Sequence, residues 1–308
     1  MKAATHTEVY RRYTGTLTAH RLRFWPLGRA GIRTAAKKKL PLVLLLAPPA
    51  IATIIFAFAV YTRFALQAGV TPTPFGGAQT SVASVLGSTM MANAAQQMIQ
   101  VRDQIIACLV STSLFSLLLI SWYGAGLFAE DRRLGAHLLY FARPLTRLDY
   151  VLSKLVVVMF FGALGGLLPG LVICLVATFA SPEWSFFTQE YDVIGATVLV
   201  GVLWVTLISS IVLAVSSLSS RRTFALLGAF AYFMLTFGIA SLLAQLQKDD
   251  DFMDVSPVLA SVRIAGALLQ LRDAPQSSLP LAILSVTANI VIAWIVTWTR
   301  VKRLEVVA

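Results

Sequence analysis

Charge is scarce in this sequence. Asp, Glu, Lys and Arg make up 13% of its 308 residues, about half the share of an ordinary soluble domain. Hydrophobic residues reach 57% and the mean hydropathy is +0.78. A water-soluble core of this length cannot hide so much apolar surface, which excludes a soluble fold. Only two cysteines occur, Cys108 and Cys174, both inside apolar runs. They read as small core residues, and neither a disulfide nor a metal site follows from them. The three histidines, His6, His20 and His137, are scattered and form no metal or triad constellation. A G-x-x-x-x-G-K-S/T run that would cradle nucleotide phosphates is missing. The chain is therefore not read as an enzyme: it has no cofactor of its own, and any ATP hydrolysis has to come from a separate chain.

What is abundant is long apolar sequence. A hydrocarbon layer of roughly 30 Å needs about 20 apolar residues at 1.5 Å rise each. Six runs reach that length, at residues 40–61, 104–128, 151–179, 193–216, 224–244 and 279–299. All are too long and continuous for the alternating strands of a membrane barrel, which average about ten residues. The fold class is an all-α integral membrane protein with six transmembrane helices. No signal peptide is expected, because 39 polar and basic residues precede the first run and no small-residue cleavage site follows it.

The net charge of +11 suggests a nucleic-acid binder until its distribution is examined. With the N-terminus inside, 20 of the 25 Lys and Arg residues fall in the cytoplasmic pieces: residues 1–39, residues 129–154, Arg221 and Arg222, and the tail from Arg300. Nine acids, Asp103, Glu183, Glu190, Asp192, Asp249, Asp250, Asp251, Asp254 and Asp273, fall outside. This is the positive-inside pattern. It places both termini in the cytoplasm of a bacterial cell, with the chain in the inner membrane and outer loops at 63–103, 180–192 and 245–278. A basic juxtamembrane arm facing anionic lipid accounts for residues 1–39 without nucleic acid. Residues 40–299 form the membrane domain and 300–308 a cytoplasmic tail.

Within the arm, Thr5-His6-Thr7-Glu8 is a capping-box pattern. Val9, Tyr13, Leu17, His20 and Phe24 follow at helical spacing, which predicts an amphipathic interfacial helix over 5–24 that Trp25-Pro26 and Gly28 then break. The first outer loop has Met90, Ala94, Met98, Val101 and Ile105 at spacings of three or four, a run expected to feed directly into the second span. In the third span, Gly162, Gly165, Gly166, Pro169 and Gly170 permit close packing and a kink. After the fifth span, Ser256-Pro257 supplies an N-cap and first helical residue for a stretch to about residue 271. That stretch holds Arg263 and is too short to cross the membrane.

The stretch 129–154, AEDRRLGAHLLYFARPLTRLDYVLSK, carries the most information. Glu130-Asp131-Arg132-Arg133 sets both signs of charge at the mouth of a short helix. Leu134, Leu138 and Phe141 then form an apolar stripe. Pro144 ends that helix, and Thr146-Arg147-Leu148-Asp149 is a capping box that starts the next, which enters the membrane past Lys154. An elbow rigid at both ends can pass a push to the spans on either side.

This segment resembles the one after the second span in type 2 permeases of ATP-binding-cassette transporters. The shared pattern runs through Asp131 and Arg132, Gly135, Leu138 and Leu139, Arg143 and Pro144, Thr146 and Arg147, and Lys154. His137 and Arg133 depart from it, standing where the family more often has an apolar residue and a second acid. The resemblance implies a short cytoplasmic coupling helix within residues 129–150 that docks on ATPase subunits, with Glu130, Asp131, Arg132, Arg133, Gly135, Leu138, Phe141, Arg143 and Pro144 as the coupling residues. It also implies a second permease chain as partner, identical or similar, and ATP with magnesium held by the ATPase partner. The expected function is a permease subunit that couples hydrolysis in separate chains to export or force transmission. The alternative is an ion-coupled secondary transporter. None of the six runs carries a charged residue or His in its central part, which disfavours proton coupling. The hydroxyls of Ser111, Thr112 and Ser113 remain as possible sodium ligands.

Overall fold

The structure, a computed structural model, describes residues 24–37, 39–67, 101–136, 146–270 and 279–303. Every regular element among them is helical. In chain order these are α1 (Phe24–Ala36), α2 (Lys39–Gln67), α3 (Val101–Leu134), α4 (Arg147–Gly162), a π-helical turn (Ala163–Leu167), α5 (Leu168–Ala180), a 3-10 turn (Pro182–Trp184), α6 (Ser185–Gln189), α7 (Tyr191–Leu218), α8 (Arg222–Gln247), a second 3-10 turn (Asp250–Val255), α9 (Pro257–Leu268) and α10 (Leu279–Arg303). Among the described residues six helical rods are long and apolar enough to cross a membrane: α2, α3, α4 through α5, α7, α8 and α10. The predicted interfacial helix over 5–24 and the run from Met90 to Met98 lie outside the described residues.

The bundle is built around α7, whose most apolar window is 67% buried against 17% for α2, α8 and α10. Small residues make that position possible. A Cβ added at Gly201 would lie 2.4 Å from Leu167 Cδ1 and 3.1 Å from its Cα, so the third and fourth spans touch almost backbone to backbone there, as membrane helices do at glycine. Around this axis α3 packs along α7, α2 covers α3 and α5, and α10 packs on α7 from another side. Several hydroxyls buried in the bundle spend their protons on carbonyls one turn back, as Thr112 does on Cys108 (2.9 Å) and Thr197 on Val193 (2.7 Å). A polar side chain is thereby tolerated where water is absent.

The third span carries the expected distortion in a specific form. Pro169 has no N–H to offer, and the turn before it widens into a π-helix in which the Leu168 N–H reaches back to Ala163 O. Gly165 and Gly166 in that turn face Ser116 of α3 and Trp204 of α7, whose side chains are joined by a Trp204 Nε1 to Ser116 Oγ hydrogen bond of 2.8 Å.

Two expectations are corrected. Residues 24–36 are helical although Trp25-Pro26 and Gly28 were expected to break the chain. Pro26 falls in the first described turn of α1, where a missing N–H is tolerated. Gly28 is buried because α1 packs on α4 there: a Cβ added at Gly28 would lie 3.4 Å from Ser153 O and 3.3 Å from Val156 Cγ1. The helix of the second span runs unbroken to Leu134, so the charged residues expected at the mouth of a separate short helix belong to this one.

α9 is a 12-residue helix that begins at Pro257, with Ser256 in the N-cap position. The Ser256 hydroxyl makes no capping bond and is buried without a partner. α9 packs on α7 and α10 and touches α3, so it tucks into one end of the bundle. Arg263, only 8% exposed, is held there by Asp254 at 2.8 Å and Asp251 at 3.4 Å.

Candidate functional site

Glu130–Arg133 form the last full turn of α3, so the charged collar closes a long helix rather than opening a short one. The reason is Gly135, whose φ of +66° is a left-handed conformation that glycine adopts without strain and that terminates helices. Its N–H accordingly bonds back to Arg132 O at 3.4 Å. Leu134 therefore lies on the last turn of α3. Leu138, Phe141, Arg143 and Pro144, with His137 and Leu139, lie outside the described residues.

On the far side of that segment α4 starts as the sequence predicts. The Thr146 hydroxyl accepts from the Asp149 N–H at 3.2 Å, and the Thr146 N–H donates to Asp149 Oδ2 at 3.1 Å, completing a reciprocal capping box. One turn in from Thr146 is Tyr150, and one turn further is Lys154. Their common face turns toward α3. Asp131 Oδ2 accepts from the Tyr150 hydroxyl at 2.8 Å and sits 2.7 Å from Lys154 Nζ. The side chains of Asp131 and Lys154 are 16% and 11% exposed, so this clasp is largely out of water.

Arg132 reaches a third helix, donating through Nη1 to Ser217 O at the end of α7 (2.7 Å). Nearby, Ser216 Oγ donates to Ala125 O at 2.8 Å and accepts from the Phe128 N–H at 3.2 Å. Glu130 faces Arg222 of α8 at 3.9 Å. The end of α3 is thus tied to α4, α7 and α8 at once, while Arg133 and Leu134 remain exposed. Of the residues expected to form the site, Asp131 and Arg132 spend their charges inside the chain and Arg133 faces outward, as does the neighbouring Leu134.

Tyr150, Ser217 and Arg222 escaped the sequence reading. Tyr150 precedes Lys154 by four residues on a helix, which puts both on one face, a signal available in the sequence. Ser217 acts through its backbone carbonyl, which no side-chain pattern reports.

The opposite end of the bundle has its own polar fastening. Arg102, at the start of α3, donates to Asp192 at 2.9 Å, Gln270 Oε1 at 3.2 Å and Leu269 O at 3.3 Å, and lies 3.6 Å from Glu190. At Arg263, burial pushes the Asp254 carboxyl above its ordinary value even though the guanidinium pulls it down. The candidate sodium ligands do not converge: Ser111 is exposed, Thr112 is buried and Ser113 borders a small apolar cavity of about 30 Å³. Successive helical residues point about 100° apart, and all three hydroxyls donate to carbonyls of their own helix.

Comparison with curated proteins finds no match. The family model described as "ABC-2 family transporter protein" matches residues 79–297, which takes in four of the membrane-capable helices described, most of α10 and the whole of the α3–α4 clasp. With well over half of its length inside that match, the chain belongs to the ABC-2 family of transporter proteins.

Proposed function

We propose that this protein is the permease subunit of an ATP-driven transporter of the bacterial inner membrane, with the α3–α4 end in the cytoplasm and the segment between those helices docked on ATPase subunits. Family membership makes it a membrane permease of an ABC transporter. ATP and magnesium belong to the partner chains, whose hydrolysis drives export or transmits force. The observation that carries the reading is the clasp: a displacement imposed on residues 135–145 meets α3 and α4 where Asp131 and Lys154 join them, and meets α7 through Arg132. Rigid attachment at both ends turns a local push into movement of three spans. The apolar outer faces of α2, α8 and α10 suit lipid and a second permease chain.

In this arrangement Arg133, Leu134, Leu138 and Phe141 touch the ATPase, while Asp131 and Arg132 hold the segment in place. Replacing Leu138 with Asp, or Arg133 with Glu, should leave membrane insertion intact. Either should weaken ATPase copurification or permease-stimulated hydrolysis roughly ten- to a hundredfold, the effect of losing a contact worth about 1.5–3 kcal/mol. Asp131→Lys should do the same by opening the clasp. Wild-type copurification and hydrolysis in all three variants would reduce the segment to a connector.

A further inference from the structure

A cleft opens along one face of α3 near its charged end. Tyr123, Gly126, Leu127 and Glu130, at spacings of three, one and three, line a cleft of about 280 Å³ that is walled by α1, α4 and the start of α8. This is room for a group of many heavy atoms.

The polar groups in the cleft are arranged by depth. Glu130 stands at the rim with its side chain 43% exposed. The Arg222 side chain lies at the level of Gly126, where an added Cβ would meet Arg222 Cδ at 3.4 Å and Glu130 Cδ at 3.2 Å. Tyr123 is seven residues from Glu130, about 10 Å deeper along the axis. Its ring is stacked on Phe161 at 4.0 Å, and its hydroxyl is buried without a hydrogen-bond partner. A phenol hydroxyl left so in a cleft is costly unless something else binds it.

Arg222 is prepared in a particular way. Its guanidinium stacks over Trp122 at 4.6 Å and donates through Nη2 to Trp122 O at 2.9 Å. Nη1 has Glu130 only at 3.9 Å, beyond hydrogen-bond distance. A planar fork fixed on one side and under-used on the other fits a phosphate oxygen. Leu27 and Val157 on the wall are apolar. α1 above them exposes Trp25, Arg29 and Arg33, the composition of a helix lying at a membrane interface.

From rim to floor the cleft therefore offers a carboxylate, a guanidinium, a hydroxyl donor and an apolar wall. A lipid with an ethanolamine headgroup presents the complementary order: ammonium outermost, then phosphodiester, then ester carbonyl, then methylenes. We propose that the cleft between α1, α3, α4 and α8 binds the headgroup of an ethanolamine glycerophospholipid, with Glu130 accepting from the ammonium, Arg222 holding the phosphodiester and Tyr123 donating to an ester carbonyl. That the leaflet is the cytoplasmic one rests on the orientation proposed above; the binding does not. A lipid seated here would touch Glu130 and the wall formed by Ser153 and Lys154, next to the clasp.

The test is native mass spectrometry of the full-length protein in mild detergent, titrated with phosphatidylethanolamine, phosphatidylglycerol and the soluble headgroup glycerophosphoethanolamine. The wild type should retain phosphatidylethanolamine most strongly. Arg222→Gln should lower retention of both lipids about tenfold. Tyr123→Phe, which keeps the stacked ring and so guards against misfolding, should lower it several-fold. Glu130→Gln should erase the preference for ethanolamine while leaving phosphatidylglycerol binding intact. Unchanged retention in Arg222→Gln and Tyr123→Phe would overturn the site, as would equal binding of the headgroup alone. Loss of ATPase association leaves these measurements unmoved, so failure of the coupling proposal and failure of this one are separately visible.

Discussion

Breaking the clasp between α3 and α4 should cost more than a surface ion pair and less than a fully buried one. The perturbation is Lys154→Met, which keeps the aliphatic stem and removes the charge 2.7 Å from Asp131. Exposed pairs contribute about 0–1 kcal/mol, and removal of one partner from a buried pair costs about 3–5 kcal/mol because the other charge is stranded. With side chains 16% and 11% exposed, this pair sits between those limits, so a loss of about 2–3 kcal/mol is expected for Lys154→Met and for Asp131→Leu. The double variant strands nothing and replaces the pair with apolar groups, so it should lose no more than either single, a coupling of at least about 2 kcal/mol. Equilibrium unfolding in mixed micelles measures this, with the thiols of Cys108 and Cys174 as reporters, since both are buried and free. Tyr150→Phe should cost about 1–2 kcal/mol more in a chain that keeps Asp131, because its hydroxyl donates to that carboxylate, and almost nothing in Asp131→Leu. Additive losses, with a coupling below about 0.5 kcal/mol, would mean that the two charges are independent and that the ends of α3 and α4 are not fastened here.

Two further outcomes follow from the charge distribution and from the opposite end of the bundle. A cysteine probe placed at Asp250 should be labelled from outside and one at Lys38 should not; the reverse would invert the membrane orientation and take the proposed coupling surface with it. Arg263→Met removes the cation that holds Asp254 down, against burial and the neighbouring Asp251, both of which raise it. The folded state then binds a proton more readily than the unfolded one. Stability is therefore greatest at low pH and is lost as pH rises through the raised folded value. The variant should unfold more easily near neutral pH than at about pH 5, and adding Asp254→Asn should flatten that difference; a single variant with no pH dependence would refute the assignment.

Hydropathy and charge were enough to read six spans, because a bilayer demands about 20 apolar residues whatever the packing. Local chemistry was enough for the Thr146–Asp149 box and for Pro257 as a first helical residue, since both depend on neighbours within one turn. What escaped depended on partners distant in sequence or on weak boundaries. α3 runs past the apolar stretch because Ala129 to Leu134 are all tolerable helix residues and only Gly135 stops them. The end of a hydropathy peak is not the end of a helix. α1 survives Gly28 because a glycine that weakens an isolated helix is favoured where another helix presses on it. The partners of Asp131 lie 19 and 23 residues away across a turn, and those of Arg132 more than eighty. The charges of the candidate site were therefore visible, but whether they face a partner or fasten the chain was not.

The two fastenings share one element. Arg102 and Asp131 stand on the same unbroken helix, about 43 Å apart at 1.5 Å per residue, and each ties α3 to other helices at its own end. The third span, which shares the Asp131 clasp through α4, is interrupted midway by the π-helical turn at Ala163–Leu167. A displacement applied where α3 meets α4 would thus travel along two unlike members: a continuous helix that carries it to the Arg102 cluster, and a jointed one that can bend where its glycines lie against Ser116 and Trp204. Spans two, three and four meet at that joint, and the Trp204–Ser116 bond crosses it. If the coupling proposed above operates, this joint at the middle of the bundle is where an end displacement would become a change of shape at membrane depth.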